Sequence, residues 1–157
     1  MTLPRLGIMV ATAAVFVTAV CSVGKSAGAV MAQEPSAAAA SPDFQTYRTR
    51  VEPIFLKKRG EHARCYSCHT HNDSLFHLQT LQPGQTSFTE EQSRLNFQSV
   101  LELVTPGDIS TSRILLHPLA PEAGGEAFHS GGRQFESKDD PDWKTIANWI
   151  RAGKSGS

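Results

Sequence analysis

Methionine and cysteine are scarce, and where they stand is more telling than how many there are. The three methionines are Met1, Met9 and Met31, so the chain has none after residue 31. Of the three cysteines, Cys21 lies in an apolar N-terminal stretch, which leaves Cys65 and Cys68. Excess charge of either sign is also absent, since 15 Lys and Arg balance 15 Asp and Glu. Only Arg5 and Lys25 precede the first acidic residue, Glu34, so the part after residue 32 carries a net −2. That excludes the strongly basic footprint of a nucleic-acid-binding domain. No internal repeat is present, and no segment alternates apolar and polar residues as a half-buried strand does. The 157 residues fit one small domain plus a targeting sequence. A core of that size gains stability from a bound cofactor.

The N-terminus reads as a secretory signal. Arg5 supplies the positive start, and Gly7 to Val23 is a run of 17 residues without a charge. Val30-Met31-Ala32 then offers small residues for cleavage before Gln33. An uncleaved membrane anchor is a second reading, for which this run is at the short limit of a span. Lipid attachment at Cys21 is a third, disfavoured by bulky Val20 before it. Cleavage removes Cys21 and every methionine. The expected organisation is a signal at 1–32, a linker at 33–42, a folded domain at 43–153 and a tail at 154–157.

Helical patterns fill the domain. Ser41 is expected to cap a first helix with Pro42 at its first position, and Phe44, Tyr47, Val51, Ile54 and Phe55 form its apolar face. Pro53 predicts a kink or an early end. Residues 72–87 read as irregular, with a turn at Pro83-Gly84. Thr89 and Gln92 form a capping box for a second helix, whose buried face is expected at Leu95, Val100, Leu101 and Val104. Thr105-Pro106-Gly107-Asp108 stops it. A short helix follows Ser110 or Ser112 over Arg113 to Leu119, ended by Pro118. Residues 121–132 are a glycine-rich loop. Asp140 caps a last helix that buries Trp143, Ile146, Ala147 and Ile150 and ends at Gly153. The expected class is all-α, about four helices with long loops.

Cys65-Tyr66-Ser67-Cys68-His69 is a C-x-x-C-H run. Two thiols three positions apart on a helical turn can reach the two vinyl groups of one haem, and the next residue, His69, falls under the iron. Other chemistries compete for a C-x-x-C pair. A thioredoxin-like dithiol wants a βαβ setting that is missing here. A structural zinc site could use Cys65, Cys68, His71 and His77, but only two residues separate Cys68 from His71, too few for two ligand pairs to converge as they usually do. A disulfide between Cys65 and Cys68 closes a strained loop of little entropic value. Export favours covalent haem, because that attachment occurs outside the cytoplasm.

Small cytochromes often place Met on the far side of the iron, which raises the potential. A cleaved chain has no Met, so the distal ligand is a histidine, another group, or none. His62 and His71 lie too close to the motif, and His77 reaches the far face only by a tight loop. His129 has the best setting, 60 positions after His69 and followed by Gly131 and Gly132, which let the backbone approach a flat macrocycle. His117 is the alternative distal ligand.

The order of these features resembles cytochrome c domains attached to large exported proteins of planctomycete and acidobacterial type. The matching stretches are Val51-Glu52-Pro53-Ile54-Phe55, the C-x-x-C-H run, Pro106-Gly107-Asp108 with Ser112 and Leu115-Leu116, His129-Ser130-Gly131-Gly132, and Trp149-Ile150-Arg151-Ala152-Gly153. The resemblance spans about residues 43 to 153 and implies a class I fold around one haem, with His129 in the distal position. This chain departs from it in lacking an attached partner domain. The expected function is an exported mono-haem cytochrome that passes electrons between redox proteins, free or as a subunit of a membrane complex. It would not be an enzyme, and would take neither nucleic acid nor a small-molecule substrate. A haem enzyme or gas sensor with an open distal site is the alternative, and a zinc-binding structural module a remote one. Localisation is periplasmic or otherwise exported, or membrane-anchored if the N-terminus is retained. Trp143, Trp149 and Arg133 are candidate partners for haem propionates, each with packing or solvation as the plainer role. Lys57, Lys58, Arg59 and Arg64 form a basic cluster that could steer an acidic partner.

Overall fold

The computed structural model describes residues 41–71 and 74–153. The expected signal, nearly all of the linker and the tail lie outside the described residues. The described chain falls within one compact unit and is helical, with only isolated bridges such as Leu119 to Phe135 in place of strands. No helix among the described residues is long and apolar enough to cross a membrane.

The first helical stretch runs as α1 (Phe44–Thr46), a π-helical segment (Tyr47–Val51) and α2 (Glu52–Leu56). Its N-cap is Asp43, two residues later than expected, because the Asp43 carboxylate accepts from the Thr46 N–H and hydroxyl at 2.7 Å each. Pro42 belongs to the fold rather than the linker: it is buried, and a Cβ on Gly153 would sit 2.8 Å from its ring. Pro53 acts as expected, but upstream of itself. It has no N–H for the carbonyl four residues back, so the chain widens by one residue and the Glu52 N–H bonds Tyr47 O.

The motif helix α3 (Cys65–His69) raises the helix count above the expected four. α4 (Glu90–Leu101) carries the expected Thr89–Gln92 capping box. Its buried face differs from the expectation: Ser93, Asn96, Phe97 and Val100 are buried, whereas Leu95 is 51% exposed and Leu101 is only half-buried. Buried Glu52 accounts for the difference. Its carboxylate accepts from Ser93 Oγ at 2.6 Å, Asn96 Nδ2 at 3.0 Å and the Tyr47 hydroxyl at 3.3 Å. A helix rotated to satisfy a buried acid hides polar residues, and apolar periodicity does not show that face. Burial beside Glu52 also pushes the Tyr47 phenol pKa upward.

α5 (Arg113–Leu116) is shorter than expected and starts after Ser112, whose hydroxyl bonds Asp108 O at 2.6 Å. A 3-10 turn (Pro121–Ala123) follows. α6 (Pro141–Ala152) matches its expected caps and buries Trp143, Ile146, Ala147, Trp149 and Ile150. Its indoles are committed to the fold: Trp149 Nε1 donates to Asp43 O at 2.9 Å and Trp143 Nε1 to Leu115 O at 3.4 Å. Tyr47, Phe97 and Trp149 meet at ring distances of 5.1 to 6.2 Å and join α6, the π segment and α4.

Candidate functional site

α3 presents Cys65, Cys68 and His69 on one side, as positions i, i+3 and i+4 of a helix must lie. The helix is pinned from outside by Tyr66, whose hydroxyl accepts the Leu81 N–H at 2.9 Å, and by Thr70 Oγ1 donating to Tyr66 O at 2.9 Å. Both cysteines are free thiols. Burial pushes the Cys65 thiol pKa up to about 11.

The His69 ring is fixed by Nδ1, which lies 2.7 Å from Phe76 O. A carbonyl only accepts, so Nδ1 carries the proton and Nε2 is left with the lone pair. His129 repeats the arrangement with Nδ1 2.6 Å from Gly132 O. Each ring therefore has one nitrogen tied to backbone and one available to a metal, which is how ligating histidines are usually oriented. Burial lowers both pKa values, which keeps the rings neutral.

The two rings are 13° from parallel, with centres 6.4 Å apart. Two metal–imidazole bonds of about 2.0 Å, plus roughly 1.1 Å from nitrogen to ring centre on each side, require about 6 Å. The centre-to-centre distance is close to that length. Both rings line a cavity of about 50 Å³ with Ile54, Phe55, Phe76, Ile114, Phe135 and Ile146 among its walls. A second cavity of about 140 Å³ shares Cys65, His69, His117 and His129 with it and adds Cys68, Gly131 and Gln134. The surroundings are thus an apolar chamber with two thiols and two oriented imidazoles on its wall, a donor set that fits a covalently held haem.

His117 also lines both cavities, with its ring 4.8 Å from that of His129 at a steep 75°. Its Nδ1 meets Glu126 Oε2 at 2.6 Å, and Arg113 holds the same carboxylate through both oxygens at 2.9 and 3.0 Å. The Arg113 hydrogen bond, with help from His117, brings the Glu126 pKa down to about 2. The remaining histidines stand elsewhere. His71 and His77 are exposed, and His62 is packed so tightly on Gly132 that a Cβ there would lie 2.6 Å from its ring. The glycines after His129 leave room for rings: Gly132, at φ +82°, for that of His62, and Gly131 for that of His129 itself.

Among the described residues no three His, Cys, Asp or Glu side chains converge as a metal site. Cys65, Cys68, His71 and His77 are not gathered into such a group, with His71 and His77 both exposed. A porphyrin brings four nitrogens of its own, so two protein ligands suffice for it. The basic cluster is partly neutralised. Arg59 is paired with Asp140 and Asp142 and lies over the Phe135 ring, and Lys57 reaches Asp142 at 2.8 Å. Arg133 is engaged with Glu122 at 3.2 Å.

Sequence reading missed Glu126, Gln134 and Glu52. Glu126 stands within the glycine-rich loop, three residues before His129, where an acid beside histidines is a usable signal. Gln134 and Glu52 act through long-range contacts that no local pattern marks. No protein family, curated protein or solved structure matches the chain.

Proposed function

We propose that this chain is an exported single-haem c-type cytochrome that passes electrons between redox protein partners and is not an enzyme. The observation that carries the reading is the near-parallel pair His69 and His129, 6.4 Å apart, each with Nδ1 held by a backbone carbonyl. When bound, haem supplies an iron that gains and loses one electron. Cys65 and Cys68 would hold the haem covalently, each through a thioether made by adding its S–H across a vinyl group, and His69 and His129 would be the protein ligands of the iron through Nε2. A metal filled by protein ligands would favour electron transfer over catalysis. Phe55, Phe76, Ile114 and Ile146 give the chamber its apolar wall. Bis-histidine ligation lowers the potential relative to histidine–methionine.

Expression of the full chain with periplasmic haem-attachment machinery tests the reading. One c-type pyridine haemochrome per chain is expected, and it should be lost in the Cys65→Ala/Cys68→Ala variant. A folded chain that takes up no haem overturns the proposal. His129→Ala should convert a low-spin spectrum to high-spin and admit carbon monoxide to the reduced protein. An unchanged spectrum would move the distal role to His117.

A further inference from the structure

Gln134 is 5% exposed and ties together the two sides of the chamber. Its Nε2 donates to Ala63 O at 3.0 Å, two residues before Cys65, and to Gly131 O at 2.9 Å, two residues after His129. These two bonds fix the amide orientation, because only the nitrogen side can donate to carbonyls. Its backbone is held as well, by Pro118 O at 2.9 Å from its N–H and by Arg59 Nε at 2.8 Å from its carbonyl. Gln134 Oε1 is the one buried side-chain polar atom among the described residues with no hydrogen-bond partner. The residue lines the cavity shared by Cys65, Cys68, His69, His117 and His129. A buried acceptor left unpaired costs about 1–3 kcal/mol, so a fold keeps one where something donates to it.

We infer that Gln134 is the positioning residue of the haem site. Its amide nitrogen sets the distance between the attachment segment and the His129 loop, and its Oε1 accepts from an O–H donor inside the cavity. That donor is an ordered water or a protonated carboxylic acid of the haem. The inference rests on the haem reading above. It assigns to Gln134 the task of holding Gly131, and through that loop the Gly132 carbonyl that orients the His129 ring.

The test compares haem-loaded wild type with Gln134→Met, which keeps length and volume but has neither donor nor acceptor, and with Gln134→Glu, which keeps the acceptor. Haem content should be equal in all three, because Cys65, Cys68 and His69 are untouched. Carbon monoxide should bind reduced Gln134→Met at least tenfold faster than wild type, and the ferric spectrum should gain a high-spin fraction. Gln134→Glu should fall between them at acidic pH, where its carboxyl can donate. If Gln134→Met fails to fold, Gln134→Glu alone decides the matter: a wild-type rate and spectrum for it at neutral pH, where it has no donor, overturns the inference. A Met variant with wild-type rate and spectrum does so too. Wild type without a haemochrome overturns the haem reading itself and this inference with it. The potential measured against pH identifies the donor. A carboxylic acid gives a potential that falls with rising pH, with its breakpoint moved to lower pH in Gln134→Met; a water gives parallel profiles.

Discussion

The half of the domain built by α4, α6 and the π segment differs sharply from the half built by α3, α5 and the loops to residue 135. In the first, Tyr47, Val100, Ala147 and Ile150 are wholly buried, aromatic rings touch, and buried Glu52 has three donors. In the second, the histidines are half-buried around open cavities and are oriented by loop carbonyls and one carboxylate. One half is closed by its own side chains, whereas the other presents an apolar wall and unengaged imidazole nitrogens. The first half supplies the stability from which the second can hold its loops in position.

The largest effect expected from this contrast lies in the closed half. Trp149→Ala removes a ring that meets Tyr47 and Phe97 and a donor to Asp43 O, and should cost about 3–5 kcal/mol in urea unfolding. A loss below about 1 kcal/mol would mean that the aromatic cluster is not the keystone described here.

Glu52→Ala should come next, at about 2–4 kcal/mol, because it strands the Tyr47 hydroxyl, Ser93 and Asn96 in a buried space. Haem ligation should be unaffected in the surviving folded protein, since Glu52 lies outside the His69–His129 chamber. A changed haem spectrum in that variant would erase the boundary between the halves.

Gly132→Ala probes the other half. The position has φ +82° and no room beside His62, so a cost of about 1–2 kcal/mol is expected. It should also disturb the His129 ring, whose Nδ1 rests on the Gly132 carbonyl, and so show as a loss of low-spin signal out of proportion to the lost stability. Equal loss of both would remove the distinction.

The smallest effect is acid sensitivity of the haem-free chain, also located in the loop half. His69 and His129 have pKa values lowered by burial, so below about pH 6.5 the unfolded chain binds protons that the folded chain refuses, and stability falls. Glu126 adds to this at lower pH. Its depressed pKa contributes stability above its unfolded value of 4.5, and that contribution is lost as pH falls toward about 2. Urea midpoints should therefore decline from pH 7 to pH 5 in wild type and less in His129→Ala. A slope unchanged by that substitution would place the acid sensitivity elsewhere.

Legibility followed the same division. α6 could be read with its caps and its buried residues, because Asp140, Pro141, Gly153 and the apolar repeat are all local signals. The capping box of α4 was equally plain, but its buried face was not: Ser93 and Asn96 face inward for the sake of Glu52, more than 40 residues away. Cys65, Cys68 and His69 could be placed together in advance because they lie within one helical turn, which sets all three on one side of α3. His129 stood out through its place in the chain, but only the folded arrangement shows its ring near-parallel to that of His69 with His117 at 75° to it. The partners of Trp143, Trp149, Arg133 and Arg59 were not legible, because Leu115 O, Asp43 O, Glu122 and the Asp140–Asp142 pair become their neighbours only on folding.

The sequence alone determined what backbone geometry and covalent spacing dictate: helical class, helix caps, the response to Pro53, and two thiols beside a histidine. Tertiary structure decided which imidazole stands parallel to His69, which carbonyls leave Nε2 free, and that Gln134 spans from Ala63 to Gly131. The physical reason is range. A cap or a helical period is settled within a few residues, whereas orienting a ring needs hydrogen bonds from segments that are distant along the chain and become neighbours only when the core closes.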